Sequence, residues 1–410
     1  MRLNIRPSLL VPLLILSAAA AAMFFSSSKS QITPEQCAQT GFPVMFIDTM
    51  AGKKIGRHSY TAARYELDGH SGGCSVRGRG NTTWQTRELY KKPYLLRLED
   101  EAPLLGMNSA RKWVLIANTA DKSFLRNSYC IMRLGRIWSR MKWIPQGRPL
   151  SLFLNGKYNG SYLLFEKIEI APGRMSLPGE GSFLATVNSR LNKEWNFITA
   201  RGTKVSIRME GRTESEYKAM EKAVQNAEDI LFSGGFTDAG TGWRSVLDED
   251  SFIDWYLANE FPKNHDAKFQ ASCWFLYDSV QQKIFMGPPW DFDISCGNIR
   301  WDGCENPEGL YVGTDKWYGR LFEDESFVQS VRARWKETRA EVSASFLWIQ
   351  EEADALRPLV ELNDSVWRSI GRRQWPHAPG WKQRKTYQSE VDYMLNFLQK
   401  RAQWLDEEFS

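Results

Sequence analysis

The chain has 410 residues, 42% of them hydrophobic and 13% aromatic, with 17 Trp. This length and composition exclude a disordered protein and predict one large packed core or two lobes. The net charge of +5 is too small, on a chain this long, to indicate a nucleic-acid partner. Local basic clusters remain able to bind phosphate groups.

The N-terminus has the pattern of an export signal. Two arginines precede the apolar run LLVPLLILSAAAAAMFF, in which Ala20 and Ala22 have the spacing of a cleavage site. The run is short for a membrane-spanning helix. We therefore predict a signal peptide over residues 1–22 and an exported protein that is periplasmic, secreted or located on the cell surface. An uncleaved anchor reaching residue 25 is the alternative, and only this anchor would place the chain at a membrane.

Six cysteines fit an oxidising compartment, in which disulfides persist. Cys296 and Cys304 are close in sequence, and a bond between Cys37 and Cys74 would tie the mature N-terminus to the fold. We predict these two disulfides, although six cysteines allow many other connectivities. A thiolate-bound metal is not expected, because the chain has no CxxC pair and only four His.

The first half of the chain has the pattern of a sheet. After a tether over 23–36, short apolar and β-branched runs alternate with turns over 37–210, among them YLLRL, KWVLIAN, LSLFL, SYLLFEKI and GSFLATV. Asn155-Gly156 and Asn159-Gly160 are typical of hairpin connections. The segment DKSFLRNSYCIMRLGRIW, with Asp121 as its N-cap, is predicted to be a helix. We expect an antiparallel sheet with one helix against it.

The second half, residues 211–410, changes to a helical period. Thr213 and Glu216 have the spacing of a capping box at the start of an amphipathic helix. Further helices are predicted over 248–261, 326–360 and 384–407. Among them, CWFLYD and KIFMG are two strands joined by SVQQ, which predicts a hairpin. The fold class is therefore α+β, with a sheet-rich part followed by a helix-rich part.

Acidic residues flank this predicted hairpin. Asp266 precedes it in NEFPKNHDAKFQAS, and Asp291 and Asp293 follow it in GPPWDFD. Because a hairpin returns the chain to its starting point, the sequence predicts that the two acidic segments meet. One carboxylate can accept a proton from a nucleophile while another holds a divalent cation. Phosphoryl transfer uses this arrangement.

A loop rich in Gly and Arg, SVRGRGNTTW, supplies candidates for binding phosphate. Its glycines let backbone N–H groups approach an anion, and Arg77 and Arg79 supply charge with fork geometry. Lys91 and Lys92 follow at the start of the next predicted strand, where a phosphate-pairing lysine would lie. A tight surface turn is the alternative interpretation of this loop.

These segments, together with LLGMNSARKWVLIANTADKSFLRN and LFLNGKYNGSYLLFEKI, closely resemble the CotH family, which is named after a bacterial spore coat protein. The resemblance spans roughly residues 75 to 300. It implies an atypical kinase with a kinase-like, two-lobed fold. It also implies transfer of the γ-phosphate of ATP, with Mg²⁺ or Mn²⁺, to Ser or Thr of a partner protein. We expect the chain to act as a monomer.

The resemblance also implies roles for individual residues. Asp266 matches the catalytic aspartate and Asp291 the metal ligand, while Gln270 and Asp293 are further candidates for the metal site. Ser272 is a second possibility near Gln270, and Asp293 is alternatively a helix cap. The candidates for binding the nucleotide are Arg77, Arg79, Asn81, Lys92, Glu166 and Trp290.

The chain departs from ordinary kinases in two respects. It lacks a GxGxxG loop, so RGRGN would have to take that role. The helix predicted from Asp121 has no Glu suited to pair with the lysine, and Glu166 is the candidate for that pair or for a hinge between lobes. Arg126 is either a phosphate contact or a surface residue.

Two other classes of function stay open at this stage. The chain could be a non-catalytic coat or surface-binding module in which the acids only stabilise the fold. It could instead be a carbohydrate-active hydrolase that uses Asp266 and Asp291 as its carboxylate pair, with Trp side chains as sugar platforms.

Overall fold

The computed structural model of the protein describes residues 32–190, 195–314 and 316–410. The predicted signal peptide and most of the predicted tether lie outside these residues. Within the described part, no helix is both long and apolar enough to cross a membrane. The first described helix is α1 (Pro34–Ala38), which Thr33 caps with its side chain.

Seven strands from the first half of the chain close into a barrel in the order β1-β2-β3-β4-β5-β7-β6. They are β1 (Val44–Thr49), β2 (Thr61–Leu67), β3 (His70–Gly78), β4 (Tyr94–Ala102), β5 (Ala110–Ile116), β6 (Gly147–Leu154) and β7 (Lys157–Glu166). Neighbours are antiparallel, as predicted, except that β1 and β6 pair in parallel. This last pairing closes the barrel, which was not predicted because it joins strands that are distant in sequence.

Alternation along the strands gives the barrel two apolar surfaces. In β4, Leu96 and Leu98 point into the barrel interior, whereas Leu95 belongs to the other hydrophobic core. In β5, Trp113 points inward and Val114 outward in the same way. These strands are therefore buried on both faces, and their outer face packs towards the rest of the molecule.

A second, five-stranded sheet has the order β12-β11-β8-β10-β9. Its strands are β8 (Phe183–Val187), β9 (Asn196–Ile198), β10 (Lys204–Ile207), β11 (Cys273–Asp278) and β12 (Lys283–Met286). The predicted hairpin is confirmed as β11 and β12, and β11 also pairs with β8. The hairpin is thus the edge of a sheet that draws strands from both sides of residue 210.

Helices make up most of the remaining chain. They are α2 (Thr82–Gln85), α3 (Leu134–Ile137), α4 (Glu214–Leu231), α5 (Glu249–Glu260), α6 (Lys316–Leu321), α7 (Glu325–Trp367) and α8 (Tyr387–Glu408), with a π-helical segment, Ser128–Arg133, directly before α3. The predicted capping box of Thr213 and Glu216 is confirmed at the start of α4. The mixed α+β class, with a sheet-rich part followed by a helical part, is confirmed.

The predicted turns behave differently from one another. Asn155 and Gly156 form the hairpin connection between β6 and β7, and both have positive φ angles, as a tight hairpin turn requires. Gly160 instead lies inside β7, beside the register shift between Leu152 and Phe153 of β6. Its φ of 104° suits glycine at such an irregularity.

Candidate active site

The hairpin of β11 and β12 brings the two acidic segments together, as predicted. Asp266 lies in a short helical turn after α5, and Asp291 and Asp293 follow β12. All three side chains line one cavity of about 550 Å³. The hydroxyl of Ser272, at the start of the hairpin, donates a hydrogen bond of 3.2 Å to Asp291 Oδ2. Residues 25 positions apart along the chain therefore share one site.

Burial and mutual repulsion act on the carboxylates of this cavity. Burial raises the pKa of Asp291, and the nearby charge of Asp266 raises it further, while Arg79 and the bond from Ser272 act in the opposite direction. Burial and the charges of Asp291 and Asp266 raise the pKa of Asp293 well above its usual range. An additional cation would relieve this repulsion.

The backbone at Asp291 adopts a left-handed conformation with φ of 67°. This conformation is uncommon for a residue other than glycine, although Asp adopts it more readily than most residues. The following residue, Phe292, is fully buried and donates its N–H to Asn127 Oδ1 at 2.9 Å. The fold therefore holds the Asp291 carboxylate in place from both sides of the turn.

A buried ion pair holds the turn that contains Asp291 and Asp293. Asp121 and Arg126 are fully buried and 2.5 Å apart. The Arg126 guanidinium also donates to the carbonyl oxygens of Ser295 and Cys296, at 3.0 and 3.4 Å. Asp121 is thus the counterion of Arg126 and not the predicted helix N-cap, and Arg126 anchors the segment after Asp293 instead of lying on the surface.

Breaking this pair should destabilise the whole site. We expect Arg126→Ala to lower the free energy of unfolding by about 3 to 5 kcal/mol, because it leaves the buried Asp121 carboxylate without its counterion. Denaturant unfolding followed by Trp fluorescence measures the change. Arg401→Ala, which breaks the buried Arg401–Glu260 pair, is the matched control. A loss below about 1 kcal/mol for Arg126→Ala, with the full loss for the control, would contradict the anchoring role.

The Gly- and Arg-rich loop contributes the positive side of the cavity. Arg79, Gly80 and Asn81 line it, and the Arg79 guanidinium stacks over the Trp290 ring at 5.6 Å. Burial lowers the pKa of Arg79, and the charges of Asp291 and Asp293 oppose that effect. Arg79 is therefore close both to the aromatic ring and to the carboxylates, as a phosphate contact would be.

A second cavity, of about 700 Å³, adjoins the first. The two share Arg79, Gly80, Asn81, Arg208, Trp274 and Trp290. Leu95, Val114 and Ile168 give the second cavity an apolar wall, and Arg57, Arg77 and Lys167 add positive charge. The described residues that line it include no Asp or Glu. One elongated space thus has an acidic end and an end that is basic, apolar and aromatic.

Some predicted nucleotide contacts lie outside the first cavity, which we call the acidic cavity because Asp266, Asp291 and Asp293 line it. Lys92 donates to the carbonyl oxygens of Trp84 and Thr86, at 2.8 and 3.3 Å, and so closes the loop before β4. Lys91 is buried against Phe124 and Tyr162. Three arginines line the acidic cavity. Among the described residues, no lysine lines it.

Arg77 and Glu166 also lie away from the carboxylates. Arg77 lines only the second cavity and donates to the carbonyl oxygens of Arg57 and Gly78. Glu166 is fully buried at the end of β7, where it accepts the N–H of Gln146 at 2.9 Å. Burial raises the pKa of Glu166. Its partner is thus a backbone amide and not the predicted lysine.

The environment of Asp266 includes a histidine. His265 Nδ1 lies 3.6 Å from Asp266 Oδ1, and its Nε2 lies 2.8 Å from Asp302 Oδ2. Burial lowers the pKa of His265, but the two neighbouring carboxylates outweigh it, so that the net shift is upward. Of the two ring nitrogens, Nε2 makes a hydrogen bond, with Asp302, whereas Nδ1 has no hydrogen-bond partner among the described residues. Gln270 lines the same cavity and is exposed, and its carbonyl accepts the N–H of Ser189 at 2.6 Å.

The carboxylates do not form a closed metal cage. Within residues 32–190, 195–314 and 316–410, no three His, Cys, Asp or Glu side chains converge closely enough to hold a metal ion by themselves. Mg²⁺ is usually bound by one or two carboxylates together with water and substrate phosphates. Asp291 and Asp293 fit that kind of shared coordination.

Both predicted disulfides are wrong. All six cysteines are free thiols, and Cys37 and Cys74 are buried without a bond to each other. The Sγ atom of Cys296 lies 3.7 Å from that of Cys130 in the π-helical segment. Proximity in sequence could not reveal this neighbour, because the turn after Asp293 folds back onto that segment.

The comparison with known families agrees with this geometry. The family described as CotH kinase protein matches residues 76–405. The chain belongs to the CotH kinase family. The match extends beyond residue 300, where the resemblance noted in the sequence ends, and includes α7 and most of α8. No curated protein matches the chain.

Several residues of this CotH chain were missed by the sequence analysis. Thr186, Asn188 and Arg190, at and after the end of β8, line the acidic cavity, and Arg208 and Trp274 line both cavities. Thr186, Asn188 and Arg190 reach the site because β8 pairs with β11, and Arg208 reaches it because β10 pairs with β8. Local sequence carries no signal for these pairings.

Proposed function

We propose that the chain is an exported CotH-type protein kinase that transfers the γ-phosphate of ATP to Ser or Thr of a partner protein. The observation that carries the proposal is the meeting of Asp266, Asp291 and Asp293 with Arg79 in one cavity. Family membership supports the kinase-like role. The barrel and the helical part would then act as the two lobes, with the nucleotide between them.

The two adjoining cavities suit the two ends of ATP. The base would lie in the second cavity, against Trp274 and Trp290 and beside the apolar side chains of Leu95, Val114 and Ile168. The phosphates would then pass Arg79, which belongs to both cavities, and reach the carboxylates. Arg79 would bind them through charge-assisted hydrogen bonds.

The carboxylates would divide the chemistry between them. Asp266, which is 28% exposed, would accept the hydrogen bond and then the proton of the acceptor hydroxyl. Asp291 would hold Mg²⁺ or Mn²⁺, with Asp293 as a second contact, and Ser272 would keep the Asp291 carboxylate oriented. A bound divalent cation supplies positive charge that offsets the charge developing on the phosphates.

Thermal unfolding in the presence of nucleotide tests the proposal. ATP with Mg²⁺ at about 100 times its dissociation constant should stabilise the folded chain by about 2.7 kcal/mol. ATP alone should do so much less, because the carboxylates would repel the phosphates. An unchanged melting temperature with ATP and Mg²⁺ would contradict the proposal.

Arg79 and Arg77 offer a matched pair of variants in one loop. Arg79→Ala should weaken ATP binding about 10- to 100-fold, because it removes a charge-assisted contact with phosphate. Arg77→Ala should change it by less than about twofold, because that guanidinium is already bonded to backbone carbonyls. Titration of Trp fluorescence measures both affinities. Equal losses in the two variants would show that Arg79 has no special position.

A further inference from the structure

We propose that residues 368–385, the loop between α7 and α8, form a docking surface for an acidic stretch of the protein substrate. The inference rests on the proposed function and specifies its substrate class. The acceptor Ser or Thr would lie next to Asp or Glu residues in the partner chain. We call residues 368–385 the basic loop.

The basic loop contains six Lys and Arg residues and no Asp or Glu: Arg368, Arg372, Arg373, Lys382, Arg384 and Lys385. Two of them have acidic partners, since Arg384 lies 2.7 Å from Glu390 and Arg373 lies 3.7 Å from Glu88. The other four are exposed and make no ion pair with any acid among the described residues. This positive charge is therefore free to meet a ligand.

The backbone of the basic loop is held in place by its surroundings. The ammonium of Lys122, itself buried, donates to the carbonyl of Arg372 at 2.6 Å. Glu88 accepts the N–H of Trp375 and contacts His377 Nε2, each at 2.8 Å. An ordered backbone presents its charges without an ordering cost on binding, which favours recognition.

The basic loop is continuous with the acidic cavity. Trp375 lines that cavity together with Asp266, and its ring lies 6.4 Å from that of Trp301. Asn118 and Thr119 line both this cavity and a small neighbouring hollow whose wall includes Ser369 and Gln374. A peptide with its hydroxyl at Asp266 would therefore lie beside Trp375 of the basic loop.

The surroundings favour a short acidic stretch over a long polyanion. Asp302, next to Trp301, is 61% exposed, and Glu308 of the same segment is exposed as well. Nucleic acid or an anionic membrane would extend beyond the basic loop and meet these negative charges. Asp302 also lies beside His265, next to Asp266, so the acidic side chains of the short stretch would have to lie on the basic-loop side of the acceptor hydroxyl.

Peptide binding tests the proposal without requiring catalysis. Three fluorescent peptides share a central Ser and differ in having acidic, neutral or basic flanks, and their anisotropy is measured with the wild-type chain. The triple variant Arg372→Gln, Lys382→Gln, Lys385→Gln removes three exposed charges of the basic loop. The control triple Lys157→Gln, Lys336→Gln, Lys400→Gln removes three exposed charges elsewhere.

We expect the acidic peptide to bind roughly tenfold more tightly than the neutral one, and the basic-loop triple to lose most of that difference. The control triple should keep the affinity within about twofold. Raising the ionic strength from about 0.05 M to about 0.5 M should weaken the acidic peptide selectively. In transfer assays, the basic-loop triple should raise KM and leave kcat unchanged.

Equal affinity for acidic and neutral peptides, or equal losses in the two triples, would overturn the proposal. So would tighter binding of a single-stranded oligonucleotide or of phosphatidylserine vesicles through the same three residues. Failure of peptide binding while ATP and Mg²⁺ still stabilise the chain would reject the docking surface and leave the kinase proposal standing. Selective peptide binding without any response to ATP would retain the surface and reject the kinase.

Discussion

Asp291→Asn should remove most of the stabilisation that ATP and Mg²⁺ together give the folded chain. The amide cannot offer the cation a charged ligand, and carboxylates are the protein groups that Mg²⁺ prefers. At an ATP concentration about 100 times the wild-type dissociation constant, the free energy of unfolding of the wild-type chain should rise by about 2.7 kcal/mol. Under the same conditions that of the variant should rise by less than about 1 kcal/mol. Thermal unfolding with and without the two ligands measures this difference.

The same variant should behave differently without ligands. Burial and the charge of Asp266 both raise the pKa of Asp291, so the ionised carboxylate is held there at a cost in stability. Asp291→Asn removes that charge, and the cation-free variant should unfold at the wild-type temperature or above it. If the variant lost the ATP response because it is misfolded, its melting temperature without ligands would be lower than that of the wild-type chain.

Asp278→Asn is the matched control for this experiment. Asp278 is also buried and belongs to the same hairpin, but its carboxylate accepts backbone N–H groups of Val280 and Gln281 in the turn. The substitution should destabilise the chain and leave the increment from ATP and Mg²⁺ intact. If both variants lost the increment equally, Asp291 would not be the metal ligand.

Asp266→Asn should separate binding from chemistry. We expect the transfer rate to fall by a factor of about 10² to 10⁴, which is the usual contribution of a positioned base. Nucleotide binding should persist, because Arg79 and Asp291 remain. The variant should therefore show the full thermal response to ATP and Mg²⁺ while kcat collapses. Phosphate transfer to a Ser-containing peptide measures kcat.

A surface variant controls for general effects on the enzyme. Asp48→Asn replaces an exposed carboxylate on β1 of the barrel and should leave kcat within about twofold of the wild-type value. Retention of full activity by Asp266→Asn would exclude it as the base. Loss of both the ATP response and activity would instead show that Asp266 acts in binding.

Local signals in the sequence predicted the centre of the site well. The short apolar and aromatic runs on either side of SVQQ predict β11 and β12, and a hairpin returns Asp291 to the neighbourhood of Asp266. The capping box at Thr213 likewise identifies the start of α4. These features depend on residues that are close in sequence, and periodicity and turn chemistry are sufficient to find them.

Features that depend on distant pairings could not be predicted in this way. Barrel closure requires Val44 to pair with Ser151, and Thr186 reaches the cavity only through the pairing of β8 with β11. Lys92 was predicted to bind phosphate, but its ammonium donates to carbonyl oxygens of the loop before β4. Strand alternation alone does not reveal such a contact. The sequence predicts Arg126 to be a phosphate contact or a surface residue, because its pairing with buried Asp121 depends on the fold of the intervening turn.

Transfer of label from γ-labelled ATP tests the central claim most directly. The chain from residue 23, incubated with Mg²⁺ and the acidic Ser-containing peptide, should place label on Ser, and Asp266→Asn should reduce that label at least about 100-fold. Label appearing equally with both proteins would contradict the assignment of Asp266. A wild-type chain that is stabilised by ATP and Mg²⁺ but transfers no label to any Ser or Thr peptide would contradict the kinase account and leave a nucleotide-binding module.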